Sequence, residues 1–100
     1  MDKQIIDFIN GLVEKCAANP ALADKKEDLE AYFYRLMIET LIDNLTEDQV
    51  NQIKDMDLKS PEAQEKMMLF SAQIPGFIFI LDEKLQTDAE NIAKSGRIPS

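Results

Sequence analysis

The chain has 100 residues, with 19 acidic and 11 basic side chains and a formal net charge of −8. This length suits one domain with its own hydrophobic core, and a hydrophobic content of 45% argues against intrinsic disorder. Acids outnumber bases by 11 to 5 in residues 1–50 and by 8 to 6 in residues 51–100, which argues against a basic surface for direct nucleic-acid binding. We expect one helical domain over residues 1–100, frayed at about 97–100.

The first predicted helix covers residues 2–18. Its apolar face consists of Ile5, Ile9, Leu12, Val13 and Cys16. Asn19-Pro20 should end this helix, because the residue before a proline is disfavoured in the helical region. A short turn should then place Leu22 in the core.

A long central helix is predicted over about residues 25–44, with Asp24 as its N-cap and Glu27 completing a capping box. It has two apolar faces. The first consists of Leu29, Phe33, Leu36, Met37 and Leu41, and the second of Tyr34, Ile38, Leu41, Ile42 and Leu45. A helix that is apolar on two faces should have neighbours on two or more flanks. If no neighbour covers the second face, it becomes a candidate dimer contact.

Three more helices are predicted from their start and stop signals. Thr46 and Gln49 form a capping box before a short helix through Val50, Ile53 and Met56, after which Leu58 should return to the core. Ser60 and Pro61 begin the next helix, which Pro75-Gly76 ends. The last helix runs from about 77 to 95 and is capped by Gly96. Its expected core face is Ile78, Leu81, Leu85, Ala89 and Ile92. The pattern predicts an all-α, compact bundle of four to five helices around the long central helix.

Five large apolar residues follow one another from Phe77 to Leu81, and one helical face cannot hold them all. Phe79 lies about 200° around the helix from Leu81. Either Phe79 and Ile80 pack beneath a neighbouring element, or they form an exposed surface for a partner. On the second hypothesis the candidate partner-binding residues are Phe77, Phe79, Ile80, Met67, Met68, Tyr34 and Ile38.

The residue types restrict catalysis and metal binding. The chain has no histidine and a single cysteine, Cys16, which excludes the common nucleophilic triads and a zinc site built from Cys and His. Asp55-Met56-Asp57 opens like a calcium loop but lacks its later ligands and its glycine. We expect no catalytic, cofactor-binding or metal-binding residues. A carboxylate enzyme would require a pocket that contains an acid with a raised pKa.

The segments that could direct the chain to a membrane are short. The N-terminus lacks the apolar run of a secretory signal, and the most apolar stretch, residues 74–81, is too short to span a bilayer. One cysteine cannot form an internal disulfide. We expect a reducing, cytoplasmic location and no membrane association.

The order of segments from Arg35 onward resembles a family of small, acidic, uncharacterised helical proteins from candidate-phylum bacteria. The shared features are an RLMIETL-type helix, a Leu-Thr-Glu-Asp-Gln helix start, an Ile-Pro-Gly-Phe break and a helix like LDEKLQTDAENI. The resemblance covers about residues 35–95 and implies an all-helical fold. It assigns no function and no site, and this chain has Ile78 and Phe79 where those proteins tend to be polar.

Two functions from different classes fit these patterns. The first is a non-catalytic helical interaction module that self-associates or binds a partner chain through an apolar surface. The alternative is an acidic nucleic-acid mimic that inhibits a basic nucleic-acid-binding protein, supported by the acidic surplus of residues 1–50. High salt should weaken the second kind of complex much more than the first.

Overall fold

The computed structural model describes residues 3–99. These residues form five α-helices and one 3-10 turn, joined by short connections. The helices are α1 (Lys3–Ala17), α2 (Lys26–Asp43), α3 (Glu47–Ile53), α4 (Pro61–Gln73) and α5 (Phe77–Ser95), and the 3-10 turn is Pro20–Leu22. The all-α bundle of four to five helices is therefore confirmed. Residues 1, 2 and 100, which belong to the predicted first helix and the predicted tail, lie outside the described residues.

Helices α1, α2 and α5 pack against one another and form the centre of the fold. Near the C-terminal end of α1, the Cys16 Sγ lies 3.5 Å from the Ala89 carbonyl oxygen, and the Asn19 amide donates to the Ala93 carbonyl at 2.8 Å. Near the other end, Ile5 shares a cavity lining with Phe77 and Leu81. α1 and α5 therefore run in parallel. α2 runs antiparallel to both, because the Lys26 Nζ at its start lies 3.0 Å from the Glu14 carboxylate near the end of α1, and its C-terminal half lines the cavity at Ile5.

The core is formed by the apolar faces predicted for α1, for the first face of α2 and for most of α5. Its largest fully buried side chains are Phe33, Ile9, Leu22, Leu29, Ile53, Leu81, Leu85, Ile92 and Cys16. The expected burial of Leu22 is confirmed. The second face of α2 is only half-buried at Tyr34, Ile38 and Ile42, so the neighbouring helices cover α2 less completely than its pattern predicts.

Three of the four predicted helix caps are confirmed. Thr46 and Gln49 exchange both hydrogen bonds of a capping box, the Ser60 hydroxyl accepts from the Ala63 N–H, and Gly96 ends α5 with φ +69°. The capping box at Asp24 is wrong, because α2 starts at Lys26 after an N-cap, Lys25, that makes no side-chain hydrogen bond. The Lys25 N–H instead donates to the Leu22 carbonyl, so the turn that buries Leu22 continues through Asp24 and delays the helix.

The connections also differ in part from expectation. α3 ends at Ile53, and the turns after it bring Met56 and Leu58 back against the core. In the segment predicted to fray, Ile98 is half-buried and packs against the core, whereas Arg97 and Pro99 are exposed. Ile98 also lines a surface cavity together with residues of α2, among them Ala31 and Tyr32. Partial burial of its apolar side chain favours this position.

The predicted core face of α5 is wrong at its first position. Ile78 is 61% exposed, and Phe77 takes its place in the core at 8%. Ile78 does point towards α1, but an open cleft separates it from Gln4, Ile5 and Phe8. The angular position of Ile78 is that of a core residue, yet no neighbour is close enough to cover it.

Candidate protein-binding surface

The first turn of α5 exposes three consecutive large apolar side chains, Ile78, Phe79 and Ile80, which we call the apolar turn. Phe79 is 76% exposed. Gly76 has φ +69°, and its carbonyl accepts from the N–H groups of Phe79 and Ile80. The helix therefore begins directly after the chain reversal at Pro75-Gly76. Since successive residues are about 100° apart, Phe79 and Ile80 turn away from the side of the helix that Phe77 and Leu81 bury. Ile78 faces the open cleft beside α1 and stays exposed.

Two adjoining cavities lie on either side of Phe77, and we call them together the α4–α5 groove. The first has a volume of about 60 Å³ and is lined by residues of α1, α2, α4 and α5, among them Ile38, Met67, Met68 and Phe77. The second, of about 210 Å³, lies between the apolar turn and α1, and its lining includes Phe8 and Ile78. Both linings share Ile5, Ser71, Phe77 and Leu81.

The size and lining of the α4–α5 groove suit apolar side chains. Both volumes lie below the roughly 300–1,000 Å³ of small-molecule and cofactor pockets. The polar residues in the linings are Gln4, Gln64 and Ser71, and the Ser71 hydroxyl donates to the Met68 carbonyl at 2.8 Å. No carboxylate lines either cavity, so the groove itself offers no general acid or base.

The structure brings together four of the seven predicted partner-binding residues. Ile38, Met67, Met68 and Phe77 line the same cavity. Phe77 and Met67 are buried and form its floor, whereas Met68 is 48% exposed at its rim. Phe79 and Ile80 lie on the outer side of the apolar turn. Tyr34 is half-buried on α2 outside both linings, and burial raises the pKa of its hydroxyl, with a further rise from the charge of Glu30.

Two features were not predicted: an exposed Leu69 that lines neither cavity, and the α1 wall of the groove. Leu69 is 58% exposed on α4, and the run Met68-Leu69-Phe70 carries the same signal as Phe77–Leu81, because one helical face cannot hold three consecutive apolar residues. Ile5 and Phe8 form the α1 wall of the groove. Their sequence pattern is that of core residues, and only the packing of α1 against α5 shows that they border a cleft.

A polar cluster joins α2 to α5. The Tyr32 hydroxyl donates to Asp88 Oδ2 at 2.8 Å, the Lys84 Nζ lies 3.6 Å from Asp88 Oδ1, and the Arg35 guanidinium lies 5.7 Å from the centre of the Tyr32 ring. Burial, followed by the hydrogen bond to Asp88, raises the pKa of Tyr32 to about 12. A hydroxyl with this pKa stays protonated near neutral pH, so Tyr32 acts as a hydrogen-bond donor that links α2 to α5.

Cys16 is a buried residue of the helix interface. Burial raises the pKa of its thiol, and the nearby charge of Lys15 partly offsets the rise. A buried thiol with a raised pKa is a poor nucleophile, because the reactive species is the thiolate. Cys16 therefore packs as a small apolar side chain.

No protein-family model, curated protein or solved structure matches the chain. Within residues 3–99, no helix has the length and apolar content needed to cross a membrane. The same residues contain no cluster of three or more His, Cys, Asp or Glu side chains that could hold a metal ion.

Proposed function

We propose that this protein is a non-catalytic helical interaction module that binds a protein chain through the apolar turn and the α4–α5 groove. The observation that carries the proposal is the exposure of Ile78 and Phe79, 61% and 76%, beside an apolar cleft. Single apolar side chains on a surface are ordinary, but a cluster of them is typical of an interaction site. Fully burying one Phe side chain contributes roughly 1.5–3 kcal/mol, which a partner could supply at Phe79.

The remaining parts of the proposal rest on the sequence. The absence of histidine and the carboxylate-free lining of the groove support a role without catalysis or a cofactor. The cytoplasmic location and the resemblance of residues 35–95 to small acidic helical proteins stay predictions. The acidic nucleic-acid mimic also stays a prediction, because no contact or distance in the described chain favours it.

The proposal is tested by comparing Phe79→Ser with Leu69→Ser. Both replace an exposed apolar residue, but only Phe79 belongs to the apolar turn. We expect the wild-type protein and Leu69→Ser to capture the same proteins from a cell extract, or to self-associate equally in light scattering. Phe79→Ser should lower that affinity by at least about tenfold, since buried aromatic anchors dominate interface energies.

The control is the far-ultraviolet circular dichroism of both variants, which should match that of the wild type because neither side chain is in the core. Equal binding by all three proteins, or binding by none together with a monomer at every concentration, would contradict the proposed function.

A further inference from the structure

The charges next to the exposed apolar residues are mainly negative. On a helix, the surface neighbours of a residue lie three and four positions away. For Met68 and for the three residues of the apolar turn, the charged residues at those positions are Glu65, Asp82, Glu83 and Lys84. Three carboxylates and one ammonium group therefore flank this surface.

The single cation of this set already has a partner. The Lys84 Nζ lies 3.6 Å from the Asp88 carboxylate, one turn further along α5. Glu65, Asp82 and Glu83 form no ion pair within residues 3–99. Met68 and the apolar turn are thus flanked by three carboxylates that form no ion pair with a cation of the described chain.

The negative charges around the apolar turn favour a basic binding partner over a second copy of this chain. A second copy of this chain would carry a net charge of −8 and would bring the same three carboxylates to the contact, where like charges oppose association. A segment with Lys or Arg at the edges of an apolar face would bury the apolar turn and pair these carboxylates at once. The clefts on either side of Phe77 suit side chains projecting from one face of a helix, which is a common mode of recognition in grooves.

From this charge complementarity we infer that the occupant of the α4–α5 groove is a basic amphipathic helix of another protein. Its apolar side chains enter the groove and cover Phe79, and its Lys or Arg side chains pair with Glu65, Asp82 and Glu83. The inference rests on the proposed function and adds the chemical class of the partner.

The test uses the full chain and two synthetic peptides of about 18 residues, long enough to be partly helical in water. Both peptides have the same leucine face, and their other positions are lysine in one and glutamate in the other. Binding is measured by fluorescence anisotropy of the labelled peptides. We expect the lysine peptide to bind and the glutamate peptide not to bind. The affinity of the lysine peptide should fall about tenfold or more from 0.1 M to 1 M salt, where the Debye length shortens from about 10 Å to about 3 Å.

The matched variants reverse two charges each. Asp82→Lys with Glu83→Lys should weaken binding of the lysine peptide about tenfold and strengthen binding of the glutamate peptide. Asp24→Lys with Glu27→Lys is the control, because these exposed acids lie near the start of α2, far from the groove residues Met37, Ile38 and Leu41. The control should leave the affinity within about twofold of the wild type, apart from the screened effect of net charge.

The outcomes separate this inference from the proposed function. Equal binding of both peptides, or equal weakening by both double variants, would overturn the basic partner. A dimer that Phe79→Ser abolishes and charge reversal strengthens would assign the groove to a second copy instead. If Phe79→Ser weakens binding but charge reversal does not, the result supports the proposed apolar binding surface and contradicts the inference of a basic partner. If neither changes binding, both proposals fall.

Discussion

Two phenylalanines that are two positions apart have opposite surroundings in α5. Phe77 is buried beneath α4 and α1, whereas Phe79 is the most exposed large apolar residue of the described chain. The difference follows from the rotation of about 100° per residue, which places their side chains about 200° apart. At the scale of the residue, no part of the described chain buries Phe79, so the favourable free energy of its burial is not gained on folding. This is the physical basis for the proposal that a partner covers it.

Tyr32 offers a test at the same scale. Its pKa of about 12 lies above the ordinary value of 10.0, so folding favours the protonated hydroxyl. The stability that this group contributes is fully present below pH 10 and is lost as the pH rises through about 12. In a Tyr34→Phe variant, where Tyr32 is the one remaining tyrosine, the phenolate absorbance should therefore titrate with a midpoint near 12.

The Asp88→Ala substitution should lower this midpoint part of the way towards 10, because it removes the hydrogen bond and the negative charge beside Tyr32. The burial of Tyr32, which raises its pKa most, stays in place. Circular dichroism at each pH checks that the helices persist. A midpoint near 10 with Asp88 present would show that the hydroxyl is not held as the structure describes.

At the scale of the helix, the turns decide where the apolar faces point. Gly76 and Gly96 both have φ +69°, a conformation that costs other residues roughly 1–2 kcal/mol. Gly76 allows α5 to begin immediately after α4, which exposes the apolar turn. Gly96 ends α5, and the following chain packs Ile98 back against the core.

The two glycines form a matched pair of variants. A Cβ atom at Gly96 would lie 3.2 Å from both the Ala21 Cβ and the Asn19 Nδ2, whereas a Cβ at Gly76 would meet open space. We expect Gly76→Ala to lower the free energy of unfolding by roughly 1–2 kcal/mol. Gly96→Ala should lower it by a further 1–3 kcal/mol or so, since the crowded contact must shift.

Urea unfolding followed by circular dichroism measures both values, and the dependence on urea should keep the same slope in both variants. Equal destabilisation by Gly76→Ala and Gly96→Ala would mean that the 3-10 turn beside Gly96 shifts without any loss of free energy of unfolding. A larger loss at Gly76 would contradict the packing of Gly96 against Asn19 and Ala21.

At the scale of the whole molecule, the helices divide into a central group and a peripheral pair. α1, α2 and α5 all contact one another closely, whereas the main backbone contact of α3 is with α4. The molecule is accordingly elongated, with extents of 43 × 25 × 24 Å. The α4–α5 groove lies where the peripheral pair meets the central group, because its lining combines residues of α4 with residues of α1, α2 and α5.

Native-state hydrogen exchange tests this division. We expect amides in the middle of α1, α2 and α5 to exchange only through global unfolding, and those of α3 and α4 to exchange through openings of lower free energy. The measurement is exchange followed by NMR at low, increasing denaturant concentrations. A single free energy for all five helices would instead show one cooperative unit.

What the sequence determined by itself are the features that depend on contacts within about four residues. The caps at Thr46, Ser60 and Gly96 and the all-α class belong here, because the side-chain and backbone groups involved are close along the chain. The apolar excess of Phe77–Leu81 was equally visible from the sequence. Its outcome was not, since either burial or exposure of Phe79 fitted the pattern.

Only the tertiary structure decided the features that depend on packing between elements distant in the sequence. Asp24 does not cap α2, because the turn that buries Leu22 continues through it. Ile78 is not in the core, because a cleft separates it from α1. The α4–α5 groove itself requires residues from four helices to meet, and no local pattern specifies that meeting. The sequence thus supplied the apolar side chains, and packing determined which of them remained available to a partner.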